Sequence, residues 1–239
     1  MGRQSTLLPQ GDGAPRAGRL GLDEAGRGSL LGPLVVGAFL STPDGAPKDT
    51  ELRALGVRDS KLLKAETRER LYRELQTRGR ALAYRAEPAL IDRYVSRGRY
   101  NDLELDMMAR LVLRLRPEEV LVDACDVNEA RFARELERRT ARRGWRGLIV
   151  ARHKADRDLP LVGAASIVAK VVRDRSIARL QSESVRRLGS GYPSDPVTRA
   201  YVQRYLRNGE ALPACVRRSW STLDTLKTGP RLRPLETFR

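Results

Sequence analysis

The chain has 239 residues with 46 Lys or Arg against 30 Asp or Glu, and its formal net charge is +16. This length predicts one domain, or one domain with a small appendage, and the excess of basic residues favours a polyanionic partner, with nucleic acid as the first candidate. The composition excludes a membrane span, because no run of 18 apolar residues occurs, and the two cysteines, which lack CxxC spacing, exclude a disulfide scaffold or a zinc framework.

The predicted elements begin after residues 1–18, an arm rich in Gly, Pro, Gln and Arg that we expect to be disordered. Short apolar or β-branched runs bounded by turn residues predict five strands, at 19–25, 34–40, 80–87, 119–125 and 147–151. Apolar residues at helical spacing predict a helix that ends at 78 and others at 103–115, 129–143, 160–188, 196–206 and 216–227. Consecutive strands followed by strands that alternate with helices indicate a mixed sheet flanked by helices.

Capping residues mark the starts of two of these helices. Asn128 precedes the helix predicted at 129–143, and its short side chain can accept a hydrogen bond from a backbone N–H of the first turn. Either Ser194 or Asp195 can do the same for a later helix, which has Pro196 in its first turn, where a missing N–H costs nothing. The two helices are therefore predicted to start at 129 and 196.

The segment LGLDEAGRGSLLGPLVVGA, residues 20–38, predicts a strand, a tight turn and a second strand. Asp23 and Glu24 are adjacent near the end of the first strand, so they cannot share one face of a regular strand. From a strand end, both could still reach one ion. A solvated acidic hairpin is the alternative interpretation of this segment taken alone, because acids and glycines are common in turns.

Two further acids follow predicted strands. Asp123 ends the apolar run VLVD, where a carboxylate is unfavourable unless it is paired or binds a cation. Asp156 lies between a strand and the helix predicted at 160–188. Helix capping is the alternative role for Asp156 and for the neighbouring acids Asp126 and Asp158. Carboxylates from separate elements, without a His or Cys cluster, suit a hard cation such as Mg²⁺ and two-metal phosphoryl chemistry, so with the basic surface they predict a nuclease.

The helix predicted at 160–188 would support this site. Four of its apolar residues recur at helical spacing and predict a core stripe, namely Leu161, Ala165, Val168 and Val172. Small residues at 163–165 would let the helix pack close to the sheet. Such packing would hold Asp156 in place.

Five segments carry a family resemblance, in this order: DEAGRGSLLGPLVVGA, DSKLL, VDACDVNEARF, HKADRDLPLVGAASIVAKVVRD and GSGYPSDP. They resemble ribonuclease HII, the type 2 ribonuclease H family, in its archaeal and eukaryotic branch, from about Gly21 to Trp220. The resemblance implies an α/β, ribonuclease H-like fold: a mixed five-stranded sheet flanked by helices, with a C-terminal helical appendage. It implies a catalytic domain at 19–188, a substrate-contacting helical subdomain at 189–228 and a basic tail at 229–239.

The resemblance also implies an activity: cleavage of the RNA strand of RNA–DNA hybrids and incision on the 5′ side of ribonucleotides embedded in duplex DNA, by two-metal hydrolysis leaving 3′-OH and 5′-phosphate ends. It implies Mg²⁺ or Mn²⁺ as cofactor. The implied metal and catalytic residues are Asp23, Glu24, Asp123 and Asp156. Two alternatives stay open, namely another nuclease of the same fold, such as a junction resolvase or an integrase-like enzyme, and a catalytically silent nucleic-acid-binding module.

Further residues are matched to substrate. Residues 26–28, Gly26-Arg27-Gly28, resemble the family's element whose backbone approaches the 2′-hydroxyl, the group that distinguishes RNA from DNA. Tyr192 resembles the tyrosine that packs against the sugar at the RNA-to-DNA junction. Lys61 and Lys170 are candidate phosphate contacts, with a solvated lysine as an equal alternative. His153, the only histidine, is assigned a sugar-phosphate or structural role outside the catalytic set.

The expected partners are RNA–DNA hybrid and ribonucleotide-containing duplex DNA. The tail RLRPLETFR, 231–239, loosely resembles a sliding-clamp-binding peptide, with Leu235 and Phe238 spaced as a plug. It lacks the usual leading glutamine and a second aromatic residue, so a disordered basic tail is the alternative. We expect a cytoplasmic monomer with no membrane contact.

Overall fold

The computed structural model describes residues 18–41, 49–57 and 63–228, so Lys61, residues 1–17 of the predicted arm and the 231–239 peptide lie outside it. The strands are β1 (Arg19–Ala25), β2 (Leu34–Ser41), β3 (Arg80–Ala86), β4 (Glu119–Asp123) and β5 (Leu148–Arg152). The helices are α1 (Asp49–Ala54), α2 (Ala65–Arg78), α3 (Pro88–Val95), α4 (Tyr100–Leu115), α5 (Glu129–Ala141), α6 (Ala155–Asp158), α7 (Pro160–Ser182), α8 (Pro196–Asn208) and α9 (Thr222–Thr228).

The five strands form one sheet in the order β3-β2-β1-β4-β5. The short connection between β1 and β2 makes them an antiparallel pair, whereas β4 is parallel to β1 and to β5 because helical crossovers separate these strands in the chain. The mixed five-stranded sheet with flanking helices that the sequence predicted is therefore confirmed. No helix in the described part of the chain is long and apolar enough to cross a bilayer.

Three short helices were not predicted. Pro88, the residue that follows the strand predicted at 80–87, occupies the first turn of α3, where its missing N–H would be unpaired in any case. The other two, α1 and α6, have six and four residues, too few for helical spacing of apolar residues to be visible.

Two predicted helices are shorter than expected by more than one turn. The prediction to residue 188 was too long, because α7 ends at Ser182. Beyond this end the Gln181 side chain accepts a hydrogen bond from the Leu188 N–H at 2.8 Å, an alternative to continued helix that side-chain acceptors offer the backbone. The last helix starts at Thr222 and not at 216, because Val216 pairs with Leu31 in an isolated β-bridge. The two predicted caps are present, since Asn128 and Asp195 accept hydrogen bonds from first-turn N–H groups.

Within the described residues, the chain divides into two compact units, each with its own core. The first contains residues 18–25, 35–41, 49–57, 63–85 and Asn101–Val172, and the second contains Gly26–Leu34, Ala86–Tyr100 and residues 173–228. The second unit is organised around buried residues of its own segments, namely Leu30, Leu31, Leu188, Tyr201, Val202, Val216, Leu223 and Leu226. The functional division at residue 188, inferred from the sequence, stays a prediction.

In the first unit, α7 packs very close to the sheet because two strand residues have no side chain. A Cβ atom added to Gly21 would lie 2.1 Å from the Leu161 carbonyl oxygen, and one added to Gly37 would lie 2.4 Å from the Ala165 carbonyl oxygen. The sequence predicted a close approach through small residues of the helix, and the strand glycines Gly21 and Gly37 also contribute to it. The predicted stripe was also too narrow, since Val162, Ala164, Ile167, Ala169 and Val171 are buried as well.

Candidate functional site

Two acidic residues leave the sheet at the same level on neighbouring strands. The parallel register of β1 and β4 pairs Leu22 with Val122, so Asp23 and Asp123 each follow a matched pair by one residue. Equivalent positions of parallel strands point to the same face of a sheet, whereas the next residue, Glu24, starts on the other face. Asp23 and Asp123 therefore project to a common side at the ends of their strands.

Asp156 is positioned through a hydrogen bond at the start of α6. Oδ1 of Asp123 accepts a hydrogen bond from the Ala155 N–H at 3.1 Å. The preceding residue, Lys154, has φ +56°, a left-handed conformation that is unfavourable for a residue with a side chain by about 1–2 kcal/mol. This turn carries the chain from β5 into α6 and leaves Asp156 only 4% exposed.

The structure distinguishes these acids from their sequence neighbours. Asp126 accepts hydrogen bonds from the Arg131 guanidinium and, at 3.0 Å, from the Asn128 N–H. These two contacts, the Arg131 contact first, hold the pKa of Asp126 below its ordinary value. Asp126 therefore serves the start of α5. On α6, Asp158 is exposed, and Asp156 is the buried acid.

The predicted carboxylates interact with one another. The pKa of Asp23 is raised well above its ordinary value, first because the side chain is buried and next because Glu24 is adjacent. Asp123 and Asp156 also raise this pKa, whereas a hydrogen bond with the Ser166 side chain opposes the rise. Each of the other three acids is thus close enough to Asp23 for the charges to repel. In the absence of a cation, this concentration of negative charge is unfavourable.

The donor set fits a hard divalent cation. Within the described ranges, no three Asp, Glu, His or Cys side chains are close enough to form a ready-made ligand set. Charges repel over longer distances than those at which ligands bind a metal. The four carboxylates can therefore lie near one another without already having the geometry of a metal site. Their donors are all carboxylate oxygens, the ligands that Mg²⁺ and Mn²⁺ prefer, and a cation would relieve the repulsion that raises the pKa of Asp23.

The second unit contains the turn formed by Gly26, Arg27 and Gly28. Gly26 has φ +83°, and a Cβ atom on it would lie 2.8 Å from the Pro33 carbonyl oxygen, so the turn itself requires glycine. Gly28 is exposed, its φ lies outside the left-handed region, and no atom lies within 4 Å of an added Cβ. Neither backbone conformation nor crowding requires glycine at position 28. The open space suits the close approach of a ligand to the backbone.

The loop that carries Tyr192 is bonded to this turn within the second unit. The Gly191 carbonyl accepts hydrogen bonds from the N–H groups of Leu30, at 2.7 Å, and Leu31, at 3.0 Å. Arg173 connects the same two segments, because its Nη2 donates to Ser29 Oγ at 3.1 Å and to the Ser190 carbonyl at 2.5 Å. The Arg173 guanidinium also lies 4.2 Å from the centre of the half-buried Tyr192 ring. Arg173 thus covers one face of that ring.

Sequence reasoning missed the side chains that hold these segments. It placed Arg173 outside the core stripe of its helix, yet Arg173 is 5% exposed. Arg217, fully buried, donates to the carbonyl oxygens of Gly32 and Arg27, both at 3.0 Å. Tyr100 also donates to the Arg27 carbonyl, at 2.8 Å. No pattern could select these residues, because Arg173 and Arg217 are two of 46 basic residues and their acceptors are backbone atoms distant in sequence.

The remaining candidates are Lys170, Lys61 and His153. Lys170 is half-buried on α7, in the first unit with the carboxylates, and Lys61 lies outside the described residues. His153 is exposed, its backbone N–H donates to Glu129 at 2.5 Å and its Nδ1 lies 3.3 Å from the Ala124 carbonyl oxygen. The contacts of His153 connect β5 to the start of α5. The roles of these three residues stay predictions.

Comparison with known proteins places the chain in a family. The sequence model of the Ribonuclease HII family matches residues 20–223. Ribonuclease HII of Pyrobaculum neutrophilum is 47% identical over 204 residues, which cover 85% of this chain and 94% of that protein. The ribonuclease HII in the PCNA:RNase HII complex from Archaeoglobus fulgidus has a TM-score of 0.77 and 40% identity, covering 92% of this chain and 100% of that one.

A more distant structure shares only the fold. The Bst RNase HIII structure in complex with Mn²⁺ has a TM-score of 0.73 and 22% identity, covering 90% of this chain and 70% of that one. The family match decides against the junction resolvase or integrase-like alternative and against the silent binding module. The chain belongs to the ribonuclease HII family, and it is an endoribonuclease that degrades the RNA strand of RNA–DNA hybrids.

Proposed function

We propose that this chain also incises duplex DNA on the 5′ side of an embedded ribonucleotide, leaving a 3′-OH and a 5′-phosphate. The observation that carries the proposal is the buried Asp23 carboxyl, whose pKa is raised first by burial and next by the charges of Glu24, Asp123 and Asp156. Mg²⁺ or Mn²⁺ would be held by these acids, namely Asp23, Glu24, Asp123 and Asp156. The Mn²⁺ complex of Bst RNase HIII supports this choice of ion through a shared fold.

Structural features of Asp23, Asp123 and Asp156 suit these residues to hold a divalent ion. A divalent ion, when bound, supplies an activated water and stabilises charge on the phosphate oxygens. Asp123 would provide one oxygen to the ion, while the hydrogen bond that it accepts from the Ala155 N–H keeps α6 and therefore Asp156 in position. Ser166 stabilises the ionised form of Asp23 by a hydrogen bond. Burial of Asp23 and Asp156 limits the access of bulk water to these ligands.

Recognition of the ribose would come from the second unit. The open space beside Gly28 lets the backbone of residues 26–28 approach the 2′-hydroxyl, which both donates and accepts a hydrogen bond. The uncovered face of the Tyr192 ring would pack against the neighbouring deoxyribose. Lys61 and Lys170 would contact phosphates. Phosphate contacts carry no base information, so cleavage should be independent of base sequence.

The decisive experiment uses three duplexes of one sequence: one with a single ribonucleotide, one with a long RNA strand and one of DNA alone. We expect cleavage of the first two in Mg²⁺, with 3′-OH and 5′-phosphate ends, because a metal-activated water and not the 2′-hydroxyl is the nucleophile. Tyr192→Ala should reduce cleavage of the single-ribonucleotide duplex about tenfold more than that of the hybrid. Tyr192→Phe is the matched control, because it retains the ring.

Products with 2′,3′-cyclic phosphate would contradict the proposed nucleophile, because they form when the 2′-hydroxyl attacks. Equal cutting of the all-DNA duplex would contradict recognition of the ribose. Equal effects of Tyr192→Ala on both ribonucleotide substrates would remove the junction role of the ring.

The C-terminal peptide is proposed to bind a sliding clamp. Its Leu235 and Phe238 have the spacing of a hydrophobic plug, and the Archaeoglobus fulgidus relative, 40% identical, was solved as a complex with PCNA. Deleting residues 229–239 should abolish retention by an immobilised archaeal clamp and leave the cleavage rate on a short duplex within about twofold. The double substitution Leu235→Ala with Phe238→Ala should reproduce the loss, and substitution of the basic residues Arg231 and Arg233 by Ala is its control. Absence of clamp binding by the intact chain would refute the idea.

A further inference from the structure

Arg217 is a buried cation that donates to two backbone carbonyl oxygens and also interacts with the Tyr100 side chain. Its side chain has no exposed surface, and burial lowers its pKa to about 10, so it is charged at neutral pH. It forms no salt bridge with a carboxylate among the described residues, and its Nε and Nη1 donate to the carbonyls of Gly32 and Arg27, both at 3.0 Å. Its guanidinium lies 4.9 Å from the centre of the Trp220 ring. A buried charge is thus directed at the backbone on both sides of Gly28.

Tyr100 directs a second donor at the same carbonyl. Its hydroxyl donates to the Arg27 carbonyl oxygen at 2.8 Å, and its ring lies 5.0 Å from the Arg27 guanidinium. The edge-to-face contact with Trp220, with centroids 5.5 Å apart, fixes the plane of the Tyr100 ring. The Arg27 carbonyl oxygen, which has two lone pairs, therefore accepts from two donors whose own positions are set by packing.

The Arg27 carbonyl belongs to the same peptide group as the Gly28 N–H. The peptide bonds of the described residues are all trans, so this N–H points away from the carbonyl that Arg217 and Tyr100 hold. Two donors on the oxygen, one of them charged, fix the plane of the peptide and polarise its N–H, because hydrogen bonds in series strengthen one another. The N–H belongs to Gly28, and no atom lies within 4 Å of a Cβ atom added to that residue.

We propose that Arg217 and Tyr100 are positioning residues that orient and polarise the Arg27–Gly28 peptide, so that the Gly28 N–H donates a strong hydrogen bond to the 2′-oxygen of the ribonucleotide. Neither side chain touches the substrate. Their effect reaches it through one backbone amide. The inference rests on the proposed reading of the 2′-hydroxyl by residues 26–28 and names the atom that performs it and the groups that prepare it.

The test measures how strongly the full chain prefers a duplex with one ribonucleotide over the all-DNA duplex of the same sequence. Dissociation constants are measured in an Asp123→Asn background, so that the substrate stays intact. Tyr100→Phe removes the hydroxyl and retains the ring, and it should lower the preference about 3- to 10-fold, the range expected for one hydrogen bond. Affinity for the all-DNA duplex should not change, because phosphate contacts supply it.

Two further variants complete the set. Arg217→Lys keeps a charge but lacks the planar fork by which the guanidinium reaches both carbonyls, and it should lower the preference at least as much as Tyr100→Phe does. Tyr205→Phe is the matched control, because Tyr205 lies in the same unit and its hydroxyl interacts with Tyr201. The preference of the Tyr205→Phe variant for the ribonucleotide duplex should equal that of the parent, the Asp123→Asn protein. Melting temperatures of all variants establish that each is folded.

The outcomes are distinguishable. A parent without any preference for the ribonucleotide duplex would refute the proposed reading of the 2′-hydroxyl and this inference with it. A parent with the preference and a Tyr100→Phe variant that retains it would overturn the inference and leave the proposed function intact. An equal loss of affinity for both duplexes in Tyr100→Phe would also overturn it, because a merely structural role predicts that result.

Discussion

Asp23→Asn should abolish cleavage and, in the metal-free protein, raise the melting temperature. Loss of a proposed ligand to the ion should lower turnover about 10³-fold or more, as removal of single catalytic groups commonly does. Binding of hybrid should persist, because phosphate contacts supply most of its affinity. Asp23 Oδ1 accepts a hydrogen bond from the Glu24 N–H, with 2.8 Å between the two atoms. Asn has a side-chain oxygen that can accept the same hydrogen bond. Local geometry should therefore survive the substitution.

The gain in stability follows from the direction of the pKa shift. Burial, and then Glu24, raise the pKa of Asp23 in the folded state above its value in the unfolded chain. The ionised side chain therefore destabilises the fold above the unfolded pKa, and this destabilisation disappears as the pH falls through the folded pKa. Asn cannot ionise. A relief of about 1 kcal/mol corresponds to about 2–4 °C in a chain of this size.

Thermal unfolding in a chelator, measured from acidic to neutral pH, checks the effect. The advantage of Asp23→Asn over the unsubstituted chain should be largest at neutral pH and should shrink in acid. Added Mg²⁺ should raise the melting temperature of the unsubstituted chain, because a ligand that binds the native state stabilises it, and should raise that of the variant less. Asp158→Asn, an exposed acid of α6, is the control and should change neither property. Near-normal turnover of Asp23→Asn would refute the metal-site assignment.

Gly28→Ala should reduce cleavage without reducing stability, whereas Gly26→Ala should reduce stability. Gly28→Ala adds a methyl group into open space, so the protein should unfold at its usual temperature. The same methyl group occupies the space through which the ribose would approach. A displacement of about 1 Å at a reacting centre can reduce the rate about 10²-fold, and we expect a loss of that size on the single-ribonucleotide duplex.

Gly26→Ala should instead destabilise the second unit. Its φ of +83° is unfavourable for alanine, and the new Cβ would lie 2.8 Å from the Pro33 carbonyl oxygen. Strain of this kind and overpacking each cost about 1–3 kcal/mol. Melting temperature and kcat/KM, measured together, separate the two variants. Normal cleavage by a folded Gly28→Ala variant would show that the 2′-hydroxyl is recognised elsewhere.

The sequence by itself determined the elements whose signals are local. The bounds of β1 agree with the prediction at both ends, because turn residues flank its apolar run. The caps Asn128 and Asp195 could be predicted from the sequence, because each capping side chain and the N–H that donates to it lie within three residues of each other. The order of the acidic residues and the Gly-Arg-Gly segment within the family's motifs was likewise visible, and the family followed from it.

Burial, charge interactions and hydrogen bonds between residues distant in the chain became visible only in the tertiary structure. It showed that Asp156 is buried and Asp158 exposed, and it revealed that burial first and then the neighbouring charges raise the pKa of Asp23. It placed Arg217 on the Arg27 carbonyl across 190 positions of sequence. Spacing patterns in the sequence indicate the period of a single helix or strand. A buried arginine that donates to a backbone carbonyl produces no such pattern, because any residue could supply the carbonyl.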